Sequence, residues 1–105
     1  MKKDKVIQFL NGDIHLNELK KSLDLKSYKQ SISNRGSFIF QASTENFYFS
    51  NKNLMILIHN FVLKKISIDE LSYLMDYIDL QEEVWEYENK SFVEEFSLIC
   101  NNSPR

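Results

Sequence analysis

Residues 66–80 read ISIDELSYLMDYIDL, and this stretch decides the fold class. Ser67, Ile68, Asp69 and Glu70 form a capping box: the Ser67 hydroxyl can accept from the Glu70 backbone N–H while the Glu70 carboxylate reaches back to the Ser67 N–H. Ile66, just before the cap, can staple onto Leu71. Leu71, Leu74, Met75 and Ile78 then recur at three- and four-residue spacing, one apolar stripe of an amphipathic helix running to about Leu80. The charged residues Asp76 and Asp79 share another face of the same helix, with Glu83 one turn on if the helix continues.

Working outward, helices dominate. Upstream, Leu54, Met55, Leu57, Ile58, Phe61 and Val62 form a wide stripe, which predicts a central helix buried on more than one side, with Asn51 or Asn53 as its cap and His59 and Asn60 on its wetter side. Downstream, Ser91 and Glu94 make a second capping box ahead of Phe92, Val93, Phe96, Ile99 and Cys100, a helix stopped by Asn101 to Pro104. Residues 3–11 and 15–23 carry short apolar periods that predict two brief helices, separated by Asn11-Gly12. Residues 24–37 are polar and end in the turn signal Asn34-Arg35-Gly36-Ser37. Phe38–Phe40 and Phe47–Phe49 are β-type runs around turn-compatible residues, so a hairpin is expected near residues 37–50. Residues 81–90 fit either a helix extension or a loop anchored by aromatics. The expected architecture is mainly α: one domain over residues 1–105, a small bundle of about five helices with an inserted β-hairpin. An internal echo is also visible. Phe9 to Leu19 and Phe61 to Leu71 both read Phe, four residues, Ile, one residue, an aliphatic, Asn or Asp, Glu, Leu.

The composition excludes several classes. Of 105 residues, 43% are hydrophobic and 27% charged, with two Gly and one Pro, which is globular and not low-complexity. A single cysteine rules out an internal disulfide framework, and two histidines with it leave too few ligands for a structural zinc site. Cys100 is expected to be a reduced, buried thiol. No apolar run reaches the ~20 residues of a membrane span, and no signal-peptide pattern opens the chain, so the expected location is cytoplasmic, with no membrane partner.

Catalytic signals are absent. Neither His15 nor His59 has an acid at triad-like or HExxH-like spacing, and Cys100 lies near a helix C-terminus, where the dipole disfavours a thiolate. There is no Gly-rich phosphate loop and no calcium-loop pattern. The chain is therefore expected not to be an enzyme and to need no cofactor, metal or small-molecule substrate.

Charge is strongly polarised. Residues 1–65 hold 11 Lys/Arg against 5 Asp/Glu, whereas residues 66–105 hold 2 against 10. These halves can pair across the fold, or the acids can face a basic partner. The acidic stretch contains the aromatics that dominate binding hot spots. The candidate partner-binding residues are Asp76, Asp79, Glu82, Glu83, Trp85, Glu86, Tyr87 and Glu88, with Trp85 and Tyr87 as anchors. Core burial of Trp85 and solvation of the acids is the competing reading. A further alternative is nucleic-acid binding through Lys2, Lys3, Lys5, Lys20, Lys21, Lys26, Lys29 and Arg35, with Phe38, Phe40, Phe47 and Tyr48 as stacking rings. The pI of about 5.7 and the acidic second half speak against it.

FVLKKISIDEL (61–71), EEVWEYE (82–88) and FVEEFSLICNNSP (92–104) resemble a family of small bacterial toxin-immunity proteins, including those of contact-dependent growth inhibition and related polymorphic toxin systems. The resemblance spans roughly residues 47–105. It implies a cognate protein toxin as partner, commonly a cationic nuclease, neutralised by a bound acidic surface that stands in for phosphate. The other protein-binding reading is a regulatory or adaptor module.

Overall fold

The structure is a computed structural model that describes residues 4–33, 38–40 and 42–102. Its order is α1 (Lys5–Leu10), α2 (Leu16–Ser22), α3 (Leu25–Ser33), β1 (Phe47–Phe49), α4 (Asn51–Val62), α5 (Ile68–Asp79), β2 (Trp85–Tyr87) and α6 (Lys90–Asn101). The fold is mainly helical, with six helices and one small sheet among the described residues. The turn expected at residues 34–37, together with Lys2, Lys3 and Pro104, lies outside the described residues.

α5 is the hub. It packs most closely on α6 and also meets α3 and α4. Its stripe is buried as its spacing predicts: Leu71, Leu74, Met75 and Ile78 all join the core, with Leu19, Leu57, Val93 and Cys100 around them. The Ser67 capping box forms in both directions, at 3.1 Å from the Glu70 N–H to the Ser67 hydroxyl and 2.8 Å from the Ser67 N–H to the Glu70 carboxylate. Ile66 is buried in the same core as Leu71.

Two other caps fall upstream of the expected ones, one residue before Asn51 in α4 and two before Ser91 in α6. α4 is capped by Ser50, with Asn53 as its reciprocal third residue, so the asparagine closes the box and does not start it. α6 is capped by Asn89, whose carbonyl oxygen accepts from the Phe92 N–H at 3.1 Å, not by Ser91. In both cases a polar side chain upstream accepts from an earlier backbone N–H, that of Asn53 in α4 and Phe92 in α6, so the helix starts before the expected cap. α3 has no counterpart in the sequence reading. Its stretch is polar, and Tyr28 is its only buried residue.

The expected hairpin does not form. Phe47–Phe49 is a strand, but it pairs in parallel with Trp85–Tyr87, in the register Phe47 to Trp85, Tyr48 to Glu86 and Phe49 to Tyr87. Phe38–Phe40 takes no strand conformation. Phe38 and Phe40 instead pack edge-on or tilted against Tyr28 and Tyr73, with ring centroids 5.0–6.0 Å apart. Parallel pairing needs a long crossover, and α4 with α5 supplies it. The central-helix expectation also changes. α4 buries Leu54 and Leu57 but leaves Met55, Ile56, Val62 and Leu63 exposed, so it lies on the surface.

The internal echo is a repeated turn. After α1, the Gly12 N–H donates to the Phe9 carbonyl and the Asp13 N–H to the Gln8 carbonyl. After α4, the Lys64 N–H donates to Phe61 and the Lys65 N–H to Asn60. Both are Schellman ends, and the left-handed residue occupies the same place in each: Gly12 at φ +82° and Lys64 at φ +62°. Each turn then runs through Ile14 or Ile66 into the next helix. The second copy carries a side chain where glycine is favoured. Lys64→Gly should therefore stabilise the fold by about 1 kcal/mol, seen as a higher urea midpoint at unchanged slope. A lower midpoint would show that the Lys64 side chain contributes more than its backbone strain costs.

Candidate functional site

Seven of the eight candidate residues separate into three groups, and Trp85 stands apart. Asp76 is held inside the structure. One of its oxygens accepts from the Tyr28 hydroxyl at 2.6 Å, and the other accepts from the Ser97 hydroxyl at 2.9 Å and the Asn101 amide at 2.7 Å. Ser72 donates to the Asn101 side-chain oxygen at 2.7 Å, which closes a clasp across α3, α5 and α6. The clasp borders an open groove of about 520 Å³ whose walls include Ile32, Phe40, Leu80 and Leu98. Asp76 is thus a tie between three helices and also part of the groove's lining. The i, i+3 spacing showed which helix face it shares, but not that a tyrosine from α3 would claim it.

Asp79, Tyr87 and Glu88 form the second group, committed to local ties. The Lys90 ammonium donates to the Asp79 carboxylate at 2.6 Å and to the Asp79 backbone carbonyl at 2.8 Å. It also lies 3.7 Å from Glu82, 3.6 Å from Glu94 and 4.8 Å from the centre of the Tyr87 ring. Among the described residues this lysine is the cation that pairs with Asp79, Glu82 and Glu94, its pairs with exposed Glu82 and Glu94 each contributing ~1 kcal/mol or less. The Tyr87 hydroxyl donates to the Ile78 carbonyl. Glu88 accepts from the Asn51 N–H at 3.1 Å and from its side chain at 2.8 Å, fastening the start of α4.

Trp85 is a correction. It is 3% exposed and packs among Phe47, Phe49 and Tyr77 at centroid distances of 5.1–6.4 Å. It anchors the core, not a partner. Period-2 alternation explains this. Trp85 and Phe49 point inward on their strands, so Glu86 and Tyr48 point outward. The indole N–H finds no acceptor among the described residues.

Glu82, Glu83 and Glu86 make up the third group and remain exposed; Glu83 and Glu86 make no ion pair among the described residues. Tyr48, read from the sequence as a stacking ring and not as a neighbour of the acids, is 53% exposed and directly across the sheet from Glu86. Its signal was the middle place in Phe-Tyr-Phe, but nothing local says that Glu86 lies beside it.

The oppositely charged halves do pair in part: Lys20 meets Glu70 at 3.5 Å and Lys29 meets Asp69 at 3.3 Å. Of the four rings expected to stack on bases, Tyr48 is exposed and the other three are half-buried. Phe38 and Phe40 pack on other rings and Phe47 lies against Trp85. Cys100 is buried, and His59 is exposed. Among the described residues no helix is long and apolar enough to cross a membrane, and no group of three or more His, Cys, Asp or Glu is placed to hold a metal.

Comparison with known proteins returns no match. No family model fits the chain, and no curated protein and no solved structure is significantly similar to it.

Three phenols, Tyr73, Tyr77 and Tyr87, have pKa values raised by burial, the last two most strongly. Burial raises the pKa of Tyr77 well above its ordinary value, and its hydrogen bond to Asp4 adds to this. Burial also raises Tyr87, with the charges of Asp79 and Glu82 contributing. Unfolded tyrosines lose their protons near pH 10, about where the free side chain titrates. Above that pH the folded state holds more protons than the unfolded one, so stability falls as pH rises. Their contribution is complete below about pH 10 and is lost on going higher. Urea midpoints measured from pH 9 to 11.5 should fall, and fall less steeply in the Tyr77→Phe, Tyr87→Phe double variant. Equal slopes would refute this assignment.

Proposed function

We propose that the protein is an immunity-type binding module that neutralises a cationic protein toxin through Tyr48, Glu82, Glu83 and Glu86. The observation that carries this reading is the pairing of exposed Tyr48 with exposed Glu86 on the outer face of the sheet, beside the exposed glutamates of the turn after α5. Glu83 and Glu86, which have no cation partner among the described residues, and Glu82, shared with Lys90, attract a basic surface over several ångströms and speed its docking. A tyrosine among them gives a rigid amphipathic contact once water is excluded. The identity of the partner rests only on the motifs at 61–71, 82–88 and 92–104, since comparison with known proteins returns no match. The proposed inhibition needs no chemistry of its own, only occupancy of the toxin's phosphate-binding surface.

The test uses the partner recovered on the tagged protein, expressed alone to establish growth arrest. Wild-type protein should restore growth. The Glu82→Lys, Glu83→Lys, Glu86→Lys variant should associate at least about tenfold more slowly at low salt, with little change in melting temperature, and the difference should shrink at high salt. Association rates unchanged at low salt would exclude this surface. A partner that binds there without arresting growth would select the adaptor reading instead.

A further inference from the structure

α4 is apolar on its outward side. At 100° per residue, Lys52, Met55, Ile56, His59, Val62 and Leu63 fall within an arc of roughly 120°. All are exposed, Met55 at 58% and Val62 at 68%. A surface helix ordinarily turns polar residues to water. This one has no acid along its length, with Lys52 at one end and Lys64 and Lys65 just past the other. None of those three lysines makes an ion pair among the described residues. Water therefore meets an apolar strip bounded by uncompensated positive charge.

The complementary surface lies on the same chain. α6 exposes Leu98 at 61% and also Phe92, interleaved with exposed Glu94 and Glu95. Glu95 makes no ion pair among the described residues. α5 packs against both helices, and in a single copy both outer faces remain open to water.

Charge decides between the ways two copies can meet. Packing α4 on α4 brings lysines to lysines in either helix direction, and packing α6 on α6 brings glutamates together. Only α4 against α6 joins apolar to apolar and basic to acidic. We propose that α4 of one copy docks on α6 of a second copy. The contact is heterologous, because each copy retains one unused α4 and one unused α6, so assembly extends as an open chain or closes into a ring. It uses none of Tyr48, Glu82, Glu83 or Glu86 and stands apart from the toxin-binding reading.

Sedimentation equilibrium on the full chain, from micromolar to about millimolar, tests it. The mass should rise with concentration past that of a dimer, and less so at high salt. Met55→Gln with Val62→Gln disables one face; Phe92→Gln with Leu98→Gln disables the other. All four side chains are exposed, so folding should survive. Each variant alone should associate about tenfold or more weakly. Mixed together they should form a 1:1 complex that grows no further, since one supplies an intact α4 face and the other an intact α6 face. A wild-type chain that stays monomeric throughout overturns the proposal. So does a dimer that the two variants cannot rebuild on mixing, which would mark an isologous contact. A monomer that co-sediments with vesicles of anionic phosphatidylserine, and ceases to with Met55→Gln and Val62→Gln, overturns it in favour of a lipid surface.

Discussion

Asp76→Ala is expected to lower the unfolding free energy by about 3 kcal/mol, because three donors lose one acceptor at once. The donors differ in what they have left. The Tyr28 hydroxyl keeps Ser72 at 3.1 Å, and Asn101 is exposed and can turn to water. Ser97 is buried. The loss is therefore less than three full hydrogen bonds to a carboxylate, each ~1.5–3 kcal/mol. For a domain of this size the melting temperature should drop by roughly 10–20 °C. Asp76→Asn keeps one oxygen for Ser97 and Asn101 and should lose about half as much. Urea unfolding of both variants measures this. A change below about 0.5 kcal/mol in Asp76→Ala would mean that the clasp is solvated and that Asp76 is free for binding after all. Partner association should be unchanged in Asp76→Asn, since the carboxylate is already claimed within the fold.

Trp85→Ala should cost about 4 kcal/mol, within the range for deleting a large core aromatic. Domains of this kind are stable by only about 5–15 kcal/mol, so the variant should be close to unfolding near 37 °C. Trp85→Phe should cost much less, since it keeps an aromatic ring and removes an indole N–H that lacks an acceptor among the described residues. As the single tryptophan, Trp85 also reports directly by fluorescence. Its emission should be blue-shifted, quenched weakly by acrylamide, and nearly unchanged when a partner binds. Strong quenching in the free protein, relieved by the partner, would restore Trp85 as an interface anchor. Tyr48→Ala separates the two roles: it should weaken binding with little effect on stability, because Tyr48 is half exposed.

The acidic stretch shows how far local reading reaches. Its charge and its exposed glutamates were legible, because long runs of acids with one lysine have few partners within the chain. Which acids are spent was not. Asp76 is claimed by α3 and α6, Asp79 by Lys90, and Glu88 by the start of α4. Each tie joins residues brought together by packing, and spacing along one helix contains no information about another. The aromatic anchor moved for the same reason. The motif Glu-Val-Trp-Glu-Tyr-Glu offers Trp85 as readily outward as inward until a strand partner fixes the face.

The sequence by itself determined α5, its capping box and buried stripe, the mainly helical class, and the repeated helix–turn–helix. Each is closed within a few residues by backbone geometry, by hydrogen bonds to a neighbour three or four positions away, or by a side chain reaching its own backbone. Tertiary structure alone decided that Phe47–Phe49 pairs with Trp85–Tyr87 and not with Phe38–Phe40. Alternation gives a strand two faces but no partner, and the partner is set by which surfaces the crossover of α4 and α5 brings together. That pairing buried Trp85 and set Tyr48 beside Glu86 on the outer face.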